Sequence, residues 1–186
     1  MTLRRVYKPL HSDSFSLGDF QLVPIRLEDR YHIMEWRNQQ LFHLRQERPL
    51  TKQDQDHYFD EVVEELFEQE KPIQLLFSLL ERGKCIGYGG LVHINWKDLN
   101  AEVSFIMNTE LEALRFNELW GAYLSLIKMV AFENLMLRKI YTYAYDLRPH
   151  LYPVLINAGF KEEARLRDHV QFDRKFFDVL IHSCLR

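Results

Sequence analysis

The sequence predicts an α/β (α+β) fold, in which helices cover both faces of a mixed, largely antiparallel sheet of six to seven strands. Three observations support this prediction. Apolar and polar residues alternate in several short runs, as they do in half-buried strands. Apolar residues recur at intervals of three and four in other runs, as they do in amphipathic helices. Together these runs give the order β-α-α-β-β-β-α-β-α-β-β, which is typical of helices layered on a sheet.

Composition limits the class of protein. The chain has 186 residues, of which 47% are hydrophobic and 27% charged, and this suits one domain with an apolar core. A net charge of −3 argues against a general nucleic-acid binder, which usually carries a basic face. No apolar run approaches the roughly 18 residues needed to span a bilayer, and the N-terminus lacks the apolar core of a secretory signal. We therefore expect a cytoplasmic protein with neither a nucleic acid nor a membrane as partner.

The predicted elements follow one another without an internal repeat or a flexible linker. Residues 1–19 predict an extended N-terminal arm, and residues 20–186 predict a single domain. Strands are predicted at 20–25, 73–80, 85–96, 99–108 and 138–145, and helices at 28–38, 51–71, 117–134 and 147–157. A final hairpin is predicted to turn at Asp173 and Arg174.

Several residues predict local geometry. Thr51 and Asp54 have the spacing of a capping box at a helix start. Gly159 follows a predicted helix end, where a left-handed backbone favours glycine. Gly89 and Gly90 interrupt a strand-like run, which predicts bending or a close approach of another backbone.

The two cysteines, Cys85 and Cys184, lie far apart in the sequence. Neither belongs to a CxxC pair or a Cys/His cluster, the patterns that indicate metal sites. We therefore predict reduced thiols in or near the core, and no metal site.

Four stretches resemble the GNAT superfamily of acyl-CoA-dependent N-acyltransferases. They are CIGYGGLVHINWKDLNAEVSFIMN, AFENLMLRKIYTYAYD, LINAGFKEEARLRDHV and DRKFFDVLIHSC. The similarity covers residues 20–183 and is greatest to the branch that contains ribosomal-protein N-terminal acetyltransferases and bacterial amino-sugar N-acetyltransferases. It implies a GNAT-like fold and acetyl-CoA as the acyl-donor cosubstrate. It also implies that the acceptor is a primary amine, either of a small molecule such as an amino sugar or of a protein N-terminus, and it allows a homodimer.

The resemblance also implies where the donor binds. In the family, the central strand and the strand after the long helix separate, and the pantetheine arm lies between them. Here these strands are 99–108 and 138–145. The main-chain N–H groups of Phe105, Ile106 and Met107 would then stabilise negative charge on the thioester oxygen.

The segment that would hold the donor's pyrophosphate departs from the family pattern. Relatives have the motif Arg/Gln-x-x-Gly-x-Gly/Ala there, which wraps backbone N–H groups around the phosphates. This chain has TELEALRFNELWG instead. Arg115, Asn117 and Gly121 are the predicted cofactor contacts, and an ordinary solvated loop is the alternative interpretation. An alternative function follows from the same departure, namely a GNAT-fold protein that acts as a non-catalytic binding module.

Transfer to an amine also needs a base, because a primary amine is mostly protonated near neutral pH. Glu102, on the central strand, is the first candidate, and His93, at the end of the preceding strand, is the second. Tyr152, in the helix before Gly159, is the candidate acid that protonates the departing thiolate. Each has a structural alternative: a solvent-facing carboxylate, a structural histidine and a tyrosine packed on the sheet.

Two residues at the end of the first helix are candidates for acceptor binding. Arg37 and Asn38 lie where relatives form the acceptor side, and a guanidinium suits a carboxylate, a phosphate or sugar hydroxyls. An ordinary surface helix end is the alternative interpretation.

Overall fold

One eight-stranded sheet organises the part of the molecule that the computed structural model describes, residues 5–44 and 46–186. Its strands are β1 (Phe15–Leu17), β2 (Phe20–Pro24), β3 (Leu75–Glu81), β4 (Lys84–Asn95), β5 (Asn100–Met107), β6 (Lys139–Tyr145), β7 (Lys161–Phe172) and β8 (Lys175–Leu185). They lie in the order β1-β2-β3-β4-β5-β6-β8-β7, and only β5 and β6 run parallel to each other. The predicted mixed, largely antiparallel sheet is confirmed, with more strands than predicted.

The helices follow the predicted order. They are α1 (Arg30–Gln39), α2 (Lys52–His57), α3 (Glu64–Glu68), α4 (Thr109–Lys128) and α5 (Leu151–Asn157). A π-helical segment, Tyr58–Val63, joins α2 to α3, and another, Met129–Asn134, extends α4. A single turn of 3-10 helix, Leu41–His43, follows α1.

Helices pack on both faces of the sheet, as predicted. Phe105 of β5 stacks on Tyr123 of α4, with ring centroids 4.0 Å apart. Tyr88 of β4 pairs with Ile106, whose side chain points to the face opposite that of Phe105. On that second face, Arg37 of α1 donates a hydrogen bond to the Tyr88 hydroxyl, at 2.7 Å.

Glycines in β4 allow the backbones to approach closely. A Cβ atom on Gly89 would lie 2.1 Å from the carbonyl oxygen of Ser104, and one on Gly90 would lie 1.9 Å from that of Leu75. The buried hydroxyl of Tyr123 donates to the same Ser104 oxygen, at 2.7 Å. The predicted close approach is therefore confirmed.

Tyr7, Leu10 and Phe15 are buried in the core, so residues 5–19 are anchored to the domain and do not form the extended arm that the sequence predicted. Tyr7 is completely buried, its ring stacks on Phe67 at 4.1 Å, and its hydroxyl donates to the carbonyl oxygen of Leu76 at 2.9 Å. β1 adds a short strand at one edge of the sheet. The rest of the predicted arm, residues 1–4, lies outside the described residues.

The predicted capping and turn residues have the expected geometry. Thr51 and Asp54 form a reciprocal capping box at the start of α2. Gly159 has a φ of +90° just after α5, as a left-handed helix end requires. Asp173 and Arg174 both have positive φ in the two-residue turn between β7 and β8, which matches a type I′ hairpin.

α4 begins at Thr109, whereas the sequence analysis placed a loop there and started the helix at Asn117. Asn108 caps it, because its side chain accepts a hydrogen bond from the N–H of Glu110 at 3.0 Å. Glutamate, leucine, alanine and arginine dominate the first turns and favour helix strongly. The predicted loop is therefore wrong.

Both cysteines are buried and neither forms a disulfide, as predicted. Burial raises the pKa of the Cys85 thiol to about 12. Over the described ranges, no helix combines the length and the apolar character that crossing a bilayer requires.

Candidate active site

β5 and β6 separate after a short stretch of pairing, which is the central feature of the site. They pair only over Asn100–Glu102 and Lys139–Tyr141. Past these residues β5 stays paired with β4, and β6 stays paired with β8. A cavity of about 360 Å³ opens in the gap, with residues 103–106 of β5 and 142–145 of β6 in its wall. The separation of these two strands was predicted and is confirmed.

The ladder between β4 and β5 determines which main-chain groups point into the gap. The N–H of Asn108 donates to a β4 carbonyl at 2.8 Å, and hydrogen-bonded positions alternate along an antiparallel pair. The N–H groups of Phe105 and Met107 therefore point away from β4, towards the gap, whereas that of Ile106 points towards β4. Consistent with this, the Met107 carbonyl oxygen accepts from Gln40 Nε2 at 3.1 Å. The side chain of Ile106 contributes to the cavity wall.

Glu102 and His93 meet at the paired end of the gap. Glu102 is the last β5 residue paired with β6, its exposure is 8%, and it lines the cavity. His93 lines the cavity from β4, where the register shifts and its φ is +52°. Such a bulge can redirect a side chain towards a site. His93 Nε2 lies 3.8 Å from Glu102 Oε2. The structure thus brings the two candidate bases together.

Arg37 lines the cavity, but Asn38 does not. Arg37 donates through Nε to Gln46 at 2.8 Å and through Nη1 to Tyr88. Tyr88 raises the pKa of Arg37, and no carboxylate among the described residues pairs with it. The Asn38 amide instead donates to the Leu50 carbonyl at 2.9 Å and accepts from the Leu50 N–H at 2.7 Å. Asn38 therefore holds the loop after α1, and the structure does not place it for acceptor binding.

Tyr152 lies away from the cavity. Its hydroxyl donates to Asp146 at 2.6 Å and its ring stacks on His182, while the neighbouring Leu151 is the α5 residue in the cavity wall. Burial, and then the bond to Asp146, raise the pKa of Tyr152. Its position does not support the predicted role of acid.

Several cavity residues were not assigned from the sequence. Tyr143 and Tyr145 lie in the wall contributed by β6, and their alternation in the sequence was a usable signal. Three buried groups in the wall also lack a hydrogen-bond partner within the described chain: Trp120 Nε1, Thr142 Oγ1 and Arg148 Nε. Buried polar groups usually find partners, so these three indicate a ligand that supplies them.

The three predicted pyrophosphate contacts do not form a phosphate site. Arg115 donates to both Glu81 and Glu118, with shortest distances of 2.7 Å, and these bonds raise the pKa of Arg115. Asn117 is exposed on the outer side of α4. Gly121 lies inside α4, where an added Cβ would meet no atom within 4 Å. This part of the chain therefore does not fit a diphosphate.

A chain of side chains closes the other end of the gap, where β5 and β6 end. We call Gln40, His43, Arg148 and Glu112 the crossbar. Gln40 bonds the end of β5, and its Oε1 lies 3.1 Å from His43 Nε2. Arg148 Nη1 lies 3.0 Å from the same His43 nitrogen, and Arg148 Nη2 donates to Glu112 in the first turn of α4 at 2.9 Å. Burial, and then the charge of Arg148, lower the pKa of His43 to about 3.

Comparisons with known proteins agree with this architecture. A family model described as an acetyltransferase (GNAT) domain matches residues 22–181. The spermidine N-acetyltransferase of Vibrio cholerae, solved with CoA and spermine, superposes with a TM-score of 0.76 and 19% identity, covering 91% of this chain and 96% of that one. The structure of a probable acetyltransferase superposes with a TM-score of 0.75 and 19% identity, covering 93% of this chain and 97% of that one. No curated protein matches the sequence.

The two solved structures have the same fold as this chain, and the family model matches most of its length. The chain therefore belongs to the GNAT family and is an acetyl-CoA-dependent N-acetyltransferase.

Proposed function

We propose that this chain transfers an acetyl group to the primary amine of a small molecule in the cavity between β5 and β6, with Glu102 as the base. The observation that carries the proposal is the separation of the two strands beyond Glu102. It leaves one gap with a carboxylate at its paired end and main-chain donors along its side.

The chemistry follows from these groups. A free amine has a pKa near about 10, so Glu102 takes its proton, directly or through one water molecule. The amine nitrogen then bonds to the thioester carbon, and the C–S bond breaks. The N–H group of Phe105, which lies in the cavity wall, stabilises the negative charge that develops on the carbonyl oxygen. The N–H group of Met107 lies about 7 Å further along the strand and is left to bond the donor's arm. The thiolate takes a proton from water or from a tyrosine of the cavity wall, Tyr143 or Tyr145, and the same water or tyrosine takes up the second proton of the amine nitrogen, so that a neutral amide and a thiol are formed.

His93 is a positioning residue in this scheme. Its ring lies beside Glu102, and more than half of its side chain is exposed. It can orient the carboxylate and relay the amine's proton to solvent.

The donor's pantetheine arm matches the cavity wall. This arm carries two amides and a hydroxyl, so it offers both donors and acceptors along its length. Trp120 Nε1 and Thr142 Oγ1 are donors without a partner in the described chain, and both residues lie in the wall. Satisfying a buried donor is worth about 1–3 kcal/mol, which favours a polar arm over a purely apolar one.

The charges around the cavity indicate the class of acceptor. The V. cholerae relative was solved with spermine, a polycation. Here the described cavity wall has two guanidinium groups, Arg37 and Arg148, and one carboxylate, Glu102. Glu112 neutralises Arg148 from outside the cavity. Arg37, in contrast, bonds the neutral side chains of Gln46 and Tyr88 and would repel an acceptor with several positive charges. We therefore propose an acceptor with one amine and a neutral or anionic remainder, such as an amino sugar, whose hydroxyl or phosphate groups Arg37 would bind.

An amine panel tests this proposal, with release of free thiol from acetyl-CoA as the readout. The panel contains amino sugars, nucleotide-linked amino sugars, peptides with a free N-terminus, and polyamines. We expect turnover with an amino sugar and little with polyamines. If a peptide is the best acceptor, the proposed acceptor class is wrong. If no amine of the panel causes release of free thiol, the result contradicts the proposed function and favours a binding module.

The role of Glu102 is tested by Glu102→Gln. We expect kcat to fall by about a hundredfold or more, because the base is lost, while donor affinity changes by less than about threefold. Glu110→Gln is the matched control, since Glu110 is exposed on α4 and does not line the cavity. Wild-type kcat in Glu102→Gln would remove Glu102 from the mechanism.

A further inference from the structure

We propose that this chain recognises its acyl donor through the thioester and the pantetheine arm alone, because the crossbar closes the cavity before the donor's phosphorylated end. Glu112 is the crossbar residue that keeps the donor's phosphates from being recognised. The inference rests on the proposed function and states which part of the donor the site recognises.

The crossbar lies at the open end of the gap. β5 and β6 are parallel, so Met107 at the end of β5 and Arg148 beyond the end of β6 lie at the same edge of the sheet. Gln40 and His43 bridge these two points. A donor that enters from this edge has to pass the bridge.

The ion pair between Arg148 and Glu112 separates two spaces. Arg148, of which 7% is exposed, lines the cavity. Glu112 lines a separate groove outside it, along the first turns of α4, together with Phe116 and His150. The guanidinium of Arg148 also lies over the Phe116 ring, 5.2 Å from its centroid. The ion pair therefore separates the cavity from the outer groove, and a nucleotide attached to an arm in the cavity would extend past the crossbar into solvent without being bound.

The outer groove does not complement a diphosphate. It contains Glu112 and Glu118, and the arginine beside them, Arg115, already donates to Glu81 and Glu118. Carboxylates in the first turn of a helix also compete with an anion for the partial positive charge there. The phosphates of CoA would therefore contribute no net affinity in the wild-type chain.

The crossbar can be opened, because two of its contacts are incomplete. The single nitrogen His43 Nε2 faces both a carbonyl-type oxygen of Gln40 and an N–H group of Arg148, and it can donate or accept but not both. Arg148 Nε has no partner within the described residues. Neutralising Glu112 would free Arg148 to bind a phosphate.

Calorimetry with pantetheine and with CoA tests the proposal without an acceptor. In the wild type we expect the two dissociation constants to agree within about threefold. Glu112→Gln should lower the dissociation constant of CoA by about tenfold or more and leave that of pantetheine unchanged. Added salt should reduce this gain in CoA affinity. Glu110→Gln, in the same helix turn but outside the crossbar, is the control and should change neither constant.

The binding results distinguish a failure of this inference from a failure of the proposed function. Wild-type CoA affinity that exceeds the affinity for pantetheine by more than about threefold would overturn the proposal and leave the proposed function standing. Binding of neither ligand would contradict the proposed function itself. The wild-type comparison decides the matter even if Glu112→Gln does not fold, and circular dichroism of each variant checks folding.

Discussion

At the scale of single residues, the site depends on charges that come from distant parts of the chain. Glu102 and His93 are neighbours because a bulge in β4 turns His93 towards β5. Arg148 and His43 are 105 positions apart in the sequence and still meet across the open end of the gap. At His43, burial and then the charge of Arg148 lower the pKa of the ring.

The depressed pKa of His43 makes stability depend on pH. The unfolded chain binds a proton at His43 below about pH 6.5, whereas the folded chain does so only near pH 3. Unfolding therefore takes up a proton between these values, and the free energy of unfolding falls as the pH falls through this window. We expect His43→Gln to have the shallower slope in urea unfolding measured from about pH 7 to about pH 4. Equal slopes in both proteins would contradict a neutral, half-buried His43.

At the scale of elements, α4 shows where sequence analysis succeeds and where it fails. Its apolar spacing predicted a long buried helix correctly, but the start was placed too late because the family usually has a loop there. The helix propensity of residues 109–116 indicated the true start. Tyr152 was placed by its spacing from Gly159, and that spacing does not reveal which way α5 faces on the sheet.

Two glycines provide a matched test of packing. Gly121 lies inside α4 and a Cβ there meets nothing within 4 Å, so Gly121→Ala should stabilise the fold by about 0.5–1 kcal/mol. Gly89 faces the Ser104 carbonyl, and a Cβ would lie 2.1 Å from it. We expect Gly89→Ala to cost about 3 kcal/mol or more in urea unfolding. Similar effects of the two substitutions would mean that β4 and β5 are less closely packed than described.

At the scale of the whole molecule, the strand and helix order was predictable because each element carries its own hydrophobic period. The separation of β5 and β6 was also predicted, through the family resemblance. The crossbar was not predictable, because its residues lie in three separate segments that only the folded chain brings together. The burial of Tyr7 was missed for the same reason, since its partners lie in α3 and β3.

Tyr7 tests whether the N-terminal segment belongs to the domain. It is completely buried, so Tyr7→Ala should cost about 3–5 kcal/mol, as other buried aromatic truncations do. Tyr7→Phe keeps the ring and loses the bond that the hydroxyl donates to the Leu76 carbonyl oxygen and the longer one that it accepts from the Leu76 N–H, which should cost about 1 kcal/mol. Equilibrium urea unfolding measures both. A loss below about 1 kcal/mol in Tyr7→Ala would mean that the segment packs only loosely.

The sheet ends at β7, and this end has a consequence for how copies of the chain meet. β7 reads KEEARLRDHVQF, and most of its residues are exposed. Its register shifts between Leu166 and Val170, where Asp168 has a φ of +46°. A strand from a second molecule would meet mixed charges and an irregular backbone there, so the free edge resists fibre-like growth. At the opposite edge, β1 has only three residues. Neither edge of the sheet therefore offers a long, regular strand to which a second copy of the chain could add.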